Sequence, residues 1–358
     1  PVSSVLYGSR FLTGEVGGSV TNQCFYSITP ANRHDRKYWC KIAESGVCLT
    51  VISTSGYVSR GFEGRVSLRD APRNGAFTVR VTRLQKSDAG AYRCGIGPSN
   101  AGLFVRQRLA VSEAGSGPRP VQLVLGALRG SVAVRCPPGG EPGPGGFWCK
   151  LGRGGCALVA DTDGYVGKSY EGRIVVSPPE SSGAFKILIN DLRREDSGVY
   201  GCGTGVPSGT GGPGTVDLQV TAGRRERRRA ARPQGLHQGA DPVSRPAASA
   251  VPRRPRVLSG AVGGSLALRC RHDPRRSYEE KYVCRWRAGR CLLLAEAGGF
   301  VHGSYRGRVR IDSKDQENGT YTVTMSDLRE DDAGWYWCGA RSGHAEQTSS
   351  VKLHVQRG

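Results

Sequence analysis

The chain has 358 residues, too many for one small domain and enough for two to four units of ordinary size. With 37% hydrophobic and 23% charged residues it can build cores, which excludes wholesale disorder, and no apolar run reaches the roughly 18 residues of a membrane-spanning helix. The formal net charge is +21, unevenly placed, and the chain opens at Pro1 with Met325 its only methionine, so a mature form or a fragment without its leader is expected.

Twelve cysteines fit a disulfide framework made in an oxidising compartment better than they fit a reducing cytosol. In chain order they are Cys24, Cys40, Cys48 and Cys94; Cys136, Cys149, Cys156 and Cys202; Cys270, Cys284, Cys291 and Cys338, so one four-cysteine unit occurs three times. First to fourth is 70, 66 and 68 residues, and second to third is 8, 7 and 7. Those spacings match neither the paired knuckles of a zinc site nor a redox Cys-x-x-Cys. No metal and no cofactor is expected.

Each fourth cysteine ends the pattern Asp-x-Gly-x-Tyr-x-Cys: Asp88 to Cys94, Asp196 to Cys202 and Asp332 to Cys338. A tyrosine two residues before the second core cysteine, bonded back to the turn it closes, is specific to immunoglobulin sandwiches. Trp39 and Trp148 stand just before the second cysteine, where a tryptophan packs on the core bridge; the third copy has Val283 there and Trp286 three residues on. Runs with apolar side chains at every second place, 77–84, 185–192 and 321–328, read as half-buried strands, and no segment sustains a 3.6-residue period. The chain is therefore expected to be all-β, three tandem variable-type sandwiches over 1–114, 115–222 and 257–358, joined across 223–256 by an Arg/Pro/Ala-rich flexible linker. In such a sandwich the first cysteine pairs with the fourth across the sheets, and the second with the third as a local bridge. Arg65, Arg173 and Arg308, each about 23 residues ahead of the aspartate of the corner, are expected to close the sandwich floor as structural ion pairs.

The second bridge carries a family resemblance. Lys37-Tyr38-Trp39-Cys40 leading to Cys48, then Gly56-Tyr57-Val58 and Gly64-Arg65, resembles the branch of immunoglobulin-like receptors that holds the polymeric immunoglobulin receptor, the Fc receptor for IgA and IgM, and the CD300-related leukocyte receptors. All three units share it. Within the branch, Asn32-Arg33-His34-Asp35-Arg36-Lys37-Tyr38-Trp39-Cys40 is similar to the first-domain loop of polymeric immunoglobulin receptors. The resemblance implies that the first domain's tip loops meet the Fc of polymeric IgA or IgM and the joining chain. Carried over by motif, Asn32, Arg33, His34, Arg36 and Lys37 are the contact candidates of the first loop. Ser53, Thr54 and Ser55 fill the second loop, where the family often has an acid, and Asn100 and Leu103 belong to the third. Three cations and a histidine on an exposed tip suit carboxylates of a partner; read without the resemblance, the same loop is a solvated charged turn. The second unit resembles the third domain of five-domain receptors and the third unit their fourth or fifth, as in a shortened receptor or part of one. With every cysteine assigned, covalent capture of the ligand is not expected.

Other classes leave traces. Residues 223–256 hold ten arginines against Glu226 and Asp241, a net +8, and Arg224–Arg232 could bind a polyanion weakly. Nucleic acid is a poor partner in an extracellular setting, and a third reading of the stretch is mistranslated intron sequence. Asn318-Gly319-Thr320 is the single N-glycosylation sequon. The six histidines are scattered, with no acid or nucleophile at catalytic spacing, no phosphate-cradling loop and no Gly-x-Ser-x-Gly elbow, so no enzyme is expected. Three readings stand: a receptor ectodomain for transepithelial transport of polymeric immunoglobulin, on the epithelial plasma membrane through a segment absent from this chain and secreted after cleavage as secretory component; a CD300-like leukocyte receptor for lipid or cell-surface ligands; and a polyanion-binding adhesion module.

Overall fold

Strand periodicity sets the architecture. Over 76–82 the alternation buries Phe77, Val79 and Val81 and turns Thr78 and Arg80 outward, which a pleated strand does and a helix cannot. The structure, a computed structural model, describes residues 5–113, 115, 120–137, 145–205, 214–221, 257–273, 278–312, 319–343 and 345–357. The expected linker over 223–256, Arg224–Arg232 with it, and Asn318 lie outside these residues.

Domain 1 contains β1 (Leu6–Gly8), β2 (Phe11–Glu15), β3 (Ser19–Tyr26), β4 (Lys37–Ile42), β5 (Cys48–Ser53), β6 (Val66–Ala71), β7 (Ala76–Thr82), β8 (Gly90–Ile96) and β9 (Leu103–Ser112). One sheet has the order β1-β3-β7-β6 and the other β2-β9-β8-β4-β5. Domain 2 repeats the plan with β10 (Gln122–Ala127), β11 (Val132–Cys136), β12 (Gly146–Gly152), β13 (Gly155–Asp161), β14 (Ile174–Val176), β15 (Phe185–Ile189), β16 (Gly198–Thr204) and β17 (Gly214–Thr221). Its sheets run β10-β17-β16-β12-β13 and β11-β15-β14. Domain 3 has β18 (Val257–Ala261), β19 (Leu266–Arg271), β20 (Glu280–Arg287), β21 (Arg290–Glu296), β22 (Val309–Asp312), β23 (Thr320–Met325), β24 (Gly334–Ser342) and β25 (Ala345–Gln356). They assemble as β18-β25-β24-β20-β21 and β19-β23-β22. In each domain the first strand of the larger sheet pairs parallel with the last, the variable-type arrangement.

The disulfides form as the sandwich requires. Cys24–Cys94, Cys136–Cys202 and Cys270–Cys338 join the two sheets with Cα atoms 6.7, 6.0 and 5.7 Å apart. Cys40–Cys48, Cys149–Cys156 and Cys284–Cys291 tie β4 to β5, β12 to β13 and β20 to β21, and no cysteine is free. The corner tyrosines close as expected: Tyr92 donates to the Asp88 carbonyl, and Tyr200 and Tyr336 donate to Asp196 and Asp332 carbonyls at 2.6 Å. Arg65 grips Asp88 at 2.6 and 2.7 Å, Arg173 grips Asp196 at 2.9 and 3.1 Å, and Arg308 bonds Asp332. All three aspartates are buried, so each pair is a structural ion pair.

The third core is built around a valine in place of the tryptophan. Trp39 and Trp148 lie opposite Cys94 and Cys202 and stack on Tyr92 and Tyr200 with ring centroids 4.1 and 4.7 Å apart. Val283 takes the same register opposite Cys338. Neighbouring core positions differ in both directions: Leu294, Met325 and Tyr321 stand for Val51, Val81 and Phe77 of domain 1, while Ala295 stands for Ile52 opposite the substituted position. Trp286 does not fill the core; it faces out of its own sandwich, toward domain 2.

Candidate functional site

The tip of domain 1 is built on a short helix that the sequence pattern did not announce. α1 (Pro30–His34) begins where Thr29 caps the chain, its hydroxyl accepting from the Asn32 N–H at 3.1 Å, with Pro30 at the first helical position, where its missing N–H costs nothing. Asn32 turns inward and its side-chain amide donates to the Ser27 carbonyl at 2.8 Å, leaving the residue 3% exposed. Arg33, His34 and Asp35 are exposed at the end of this helix.

Lys37 corrects the expected charge of the tip. It is 1% exposed, donates to the Arg33 carbonyl at 2.8 Å, pairs with Asp70 at 3.1 Å and lies over the Tyr26 ring. Tyr26 in turn donates to Asp70 at 2.9 Å. The ammonium therefore pins the C-terminal end of α1, where the peptide carbonyls carry partial negative charge, and its charge is neutralised below the surface. Of the three expected cations, Arg33 is exposed and Arg36 half-buried.

Arg36 acts as a staple between loops. Its guanidinium donates to the Gly97 and Pro98 carbonyls at 3.2 and 3.4 Å, to the Asn100 side-chain oxygen at 2.9 Å and to the Thr50 hydroxyl at 3.2 Å. Asn100 closes the network by donating to Thr50 and to the Cys48 carbonyl at 2.9 and 2.7 Å. Arg93 adds a bond to the Asn100 carbonyl at 3.1 Å and packs over Phe104. Beneath them Tyr38 is fully buried; burial pushes its hydroxyl pKa up, against the opposing pull of Arg93 and Arg36. The first and third loops are thus one hydrogen-bonded unit, footed on the disulfide between Cys40 and Cys48.

The second loop is braced from the same strand. The Lys37 N–H donates to the Thr54 hydroxyl at 3.0 Å and the Thr54 N–H to the Lys37 carbonyl at 2.9 Å. Ser53 is buried and shares a 2.7 Å hydroxyl contact with Ser55, while Thr54, Ser55 and Tyr57 are exposed. Leu103 is half-buried against the domain core. Of the expected site residues, then, Asn32, Lys37 and Ser53 support the loops from inside, Arg36, Asn100 and Leu103 lie half-buried, and Arg33, His34, Thr54 and Ser55 face solvent. Sequence reading missed Asp70, Thr50 and Arg93, which come from β6, β5 and β8 and reach the loops only through the fold. The face offers a guanidinium fork, an imidazole, hydroxyls and the half-exposed Tyr57 ring, groups with the chemistry to form charge-assisted and neutral hydrogen bonds.

The immunoglobulin V-set domain description matches residues 7–109, 117–221 and 253–356. The chain belongs to the immunoglobulin V-set family. This V-set chain is 28% identical to the human (Homo sapiens) polymeric immunoglobulin receptor over 99% of its own length and 58% of the receptor's. It is 39% identical to the mouse (Mus musculus) high affinity immunoglobulin alpha and immunoglobulin mu Fc receptor over 41% of its length and 27% of that protein's. Among solved structures, the first Ig domain of the mouse polymeric immunoglobulin receptor is 37% identical, with a TM-score of 0.30, covering 33% of this chain and 100% of that one. The chain thus spans a little over half the length of the polymeric immunoglobulin receptors it matches. Among the described residues no helix is long and apolar enough to cross a membrane.

Proposed function

We propose that this V-set chain is the extracellular part of a receptor whose domain 1 tip binds polymeric immunoglobulin, IgA or IgM with its joining chain, for transport across an epithelium and release as secretory component. The observation that carries the reading is the Arg36 network: it fixes the third loop to the first and leaves Arg33 and His34 outward on a pre-ordered tip, which lowers the ordering cost of binding. Relatives named as receptors for polymeric immunoglobulin over nearly the whole chain support the ligand class, and six disulfides support an oxidising, extracellular setting.

The test is surface-plasmon binding of the full chain to joining-chain-containing IgA or IgM, with monomeric immunoglobulin as control. Arg33→Ala should weaken polymer binding by about tenfold or more, the worth of one charge-assisted bond. Arg36→Ala should weaken it comparably by releasing the third loop. Deleting residues 224–232 should leave it unchanged. If the two arginine variants bind as wild type while the deletion abolishes binding, the site lies in the basic segment and the tip assignment fails.

A further inference from the structure

Domain 3 carries aromatic residues on the outer face of its larger sheet where the other two domains do not. Trp286, Trp335 and Trp337 occupy the positions of Ile42, Ala91 and Arg93 in domain 1 and of Leu151, Val199 and Gly201 in domain 2. A matching change occurs on the smaller sheet of domain 2. Its outward-facing Val175 and Leu188, paired across β14 and β15, stand where domain 1 has Ser67 and Arg80 and domain 3 has Arg310 and Thr324. One apolar sheet face and one tryptophan-bearing face thus occur once each, and they pack on each other.

The contact is specific as well as apolar. The Trp337 indole N–H donates to the Gly172 carbonyl at 2.7 Å and the Trp286 N–H to the Ile174 carbonyl at 2.6 Å. Both indoles therefore satisfy their polar atoms on domain 2 backbone while burying their rings. The Val176 N–H, on the edge strand of its sheet, donates to the Gly289 carbonyl at 3.0 Å, so the β20–β21 turn covers an otherwise open edge. Gly172 makes room: a Cβ there would lie 2.3 Å from the Trp335 ring. Lys186 pairs with Glu346 across the boundary, and Glu346 also accepts from Tyr282.

We infer that the tryptophan face of domain 3 is a docking surface for the Val175–Leu188 face of domain 2 in the same chain, and that this contact, not the covalent connection through 223–256, holds the two domains together. The partner it fits is an apolar sheet face with an edge strand free to accept and donate, a glycine at its rim and a lysine beside it. The inference is independent of the immunoglobulin reading, because none of these residues belongs to the domain 1 tip.

The test uses the full chain with a specific protease site placed within 223–256. After cutting, the two pieces should co-elute at about 1 µM, as a specific interface predicts. Leu188→Asp and Trp337→Ala should each separate them after cutting, with circular dichroism unchanged. Gly172→Ala should also separate them, whereas Gly307→Ala should not: both glycines have left-handed φ, +71° and +76°, so backbone strain is matched, but nothing lies within 4 Å of a Cβ at Gly307. Separation of the cut wild-type pieces, or co-elution of all three interface variants, would overturn the inference. A dimer by light scattering before cutting would overturn the same-chain assignment.

Discussion

Arg36 and Lys37 are adjacent in sequence and have opposite fates, because in an extended strand neighbouring side chains leave by opposite faces. Arg36 lies across the loop tips and Lys37 goes down to Asp70. Removing Asp70 leaves a buried ammonium with only the Arg33 carbonyl and the Tyr26 ring, so Asp70→Ala should cost about 3 kcal/mol in denaturant unfolding of the full chain, and Lys37→Met in that background should recover part of it. Asp88 makes a second residue-level test. Burial alone would push its carboxyl up, but the bonds from Arg65 and the Gln85 N–H outweigh burial and hold it below the usual aspartate range. A depressed folded pKa means that this stabilisation is present above the ordinary value of about 3.9 and is lost as pH falls through the lower one. Arg65→Met should therefore lower the melting temperature at pH 7, with the difference from wild type shrinking below about pH 4.

At the scale of elements, one strand of each unit, β7, β15 and β23, was legible because a period of two survives without tertiary information. Phe77, Phe185 and Tyr321 each mark the same strand and pair with the first cysteine of their unit. α1 was not legible: five residues are too few to show a helical period, and its signals are one threonine cap and one proline. The tip residues were legible as a set but not as roles. Whether Asn32 or Lys37 points in or out depends on Ser27, Tyr26 and Asp70, and the last of these lies 33 residues beyond Lys37. The third core was legible only as a departure, since Val283 does not say which side chains surround it in the fold. Val283 is fully buried in a close-packed interior, so Val283→Trp should overpack that core, costing about 1–3 kcal/mol, checked by chemical unfolding. Cys40→Ser with Cys48→Ser should cost about 2.6 kcal/mol by loop-closure entropy and raise hydrogen exchange in the loop that Arg36 holds.

Across the whole molecule the two domain junctions differ in kind. Between domains 1 and 2 the junction is polar: Arg10 pairs with Asp217, whose side chain is fully buried, and Gln219 donates to both Asp217 and the Gly8 carbonyl at 2.9 and 2.8 Å. The bond to Asp217 raises the Arg10 pKa against a smaller opposing effect of burial. Asp217→Ala should free domain 1 to swing, seen as a broader interdomain distance distribution in small-angle scattering, while leaving the contact of domains 2 and 3 in place. An ion pair on a buried aspartate, with its glutamine, anchors the first junction, and indole packing with one ion pair the second.

Gly172 has a counterpart in every repeat, Gly64 and Gly307, all in the left-handed region that the preceding turn demands. The space left by the absent side chain is therefore set by the backbone in all three units, and in one of them an indole fills it. A position that every sandwich must leave bare for its own turn thus doubles, in the middle unit, as the seat of its neighbour.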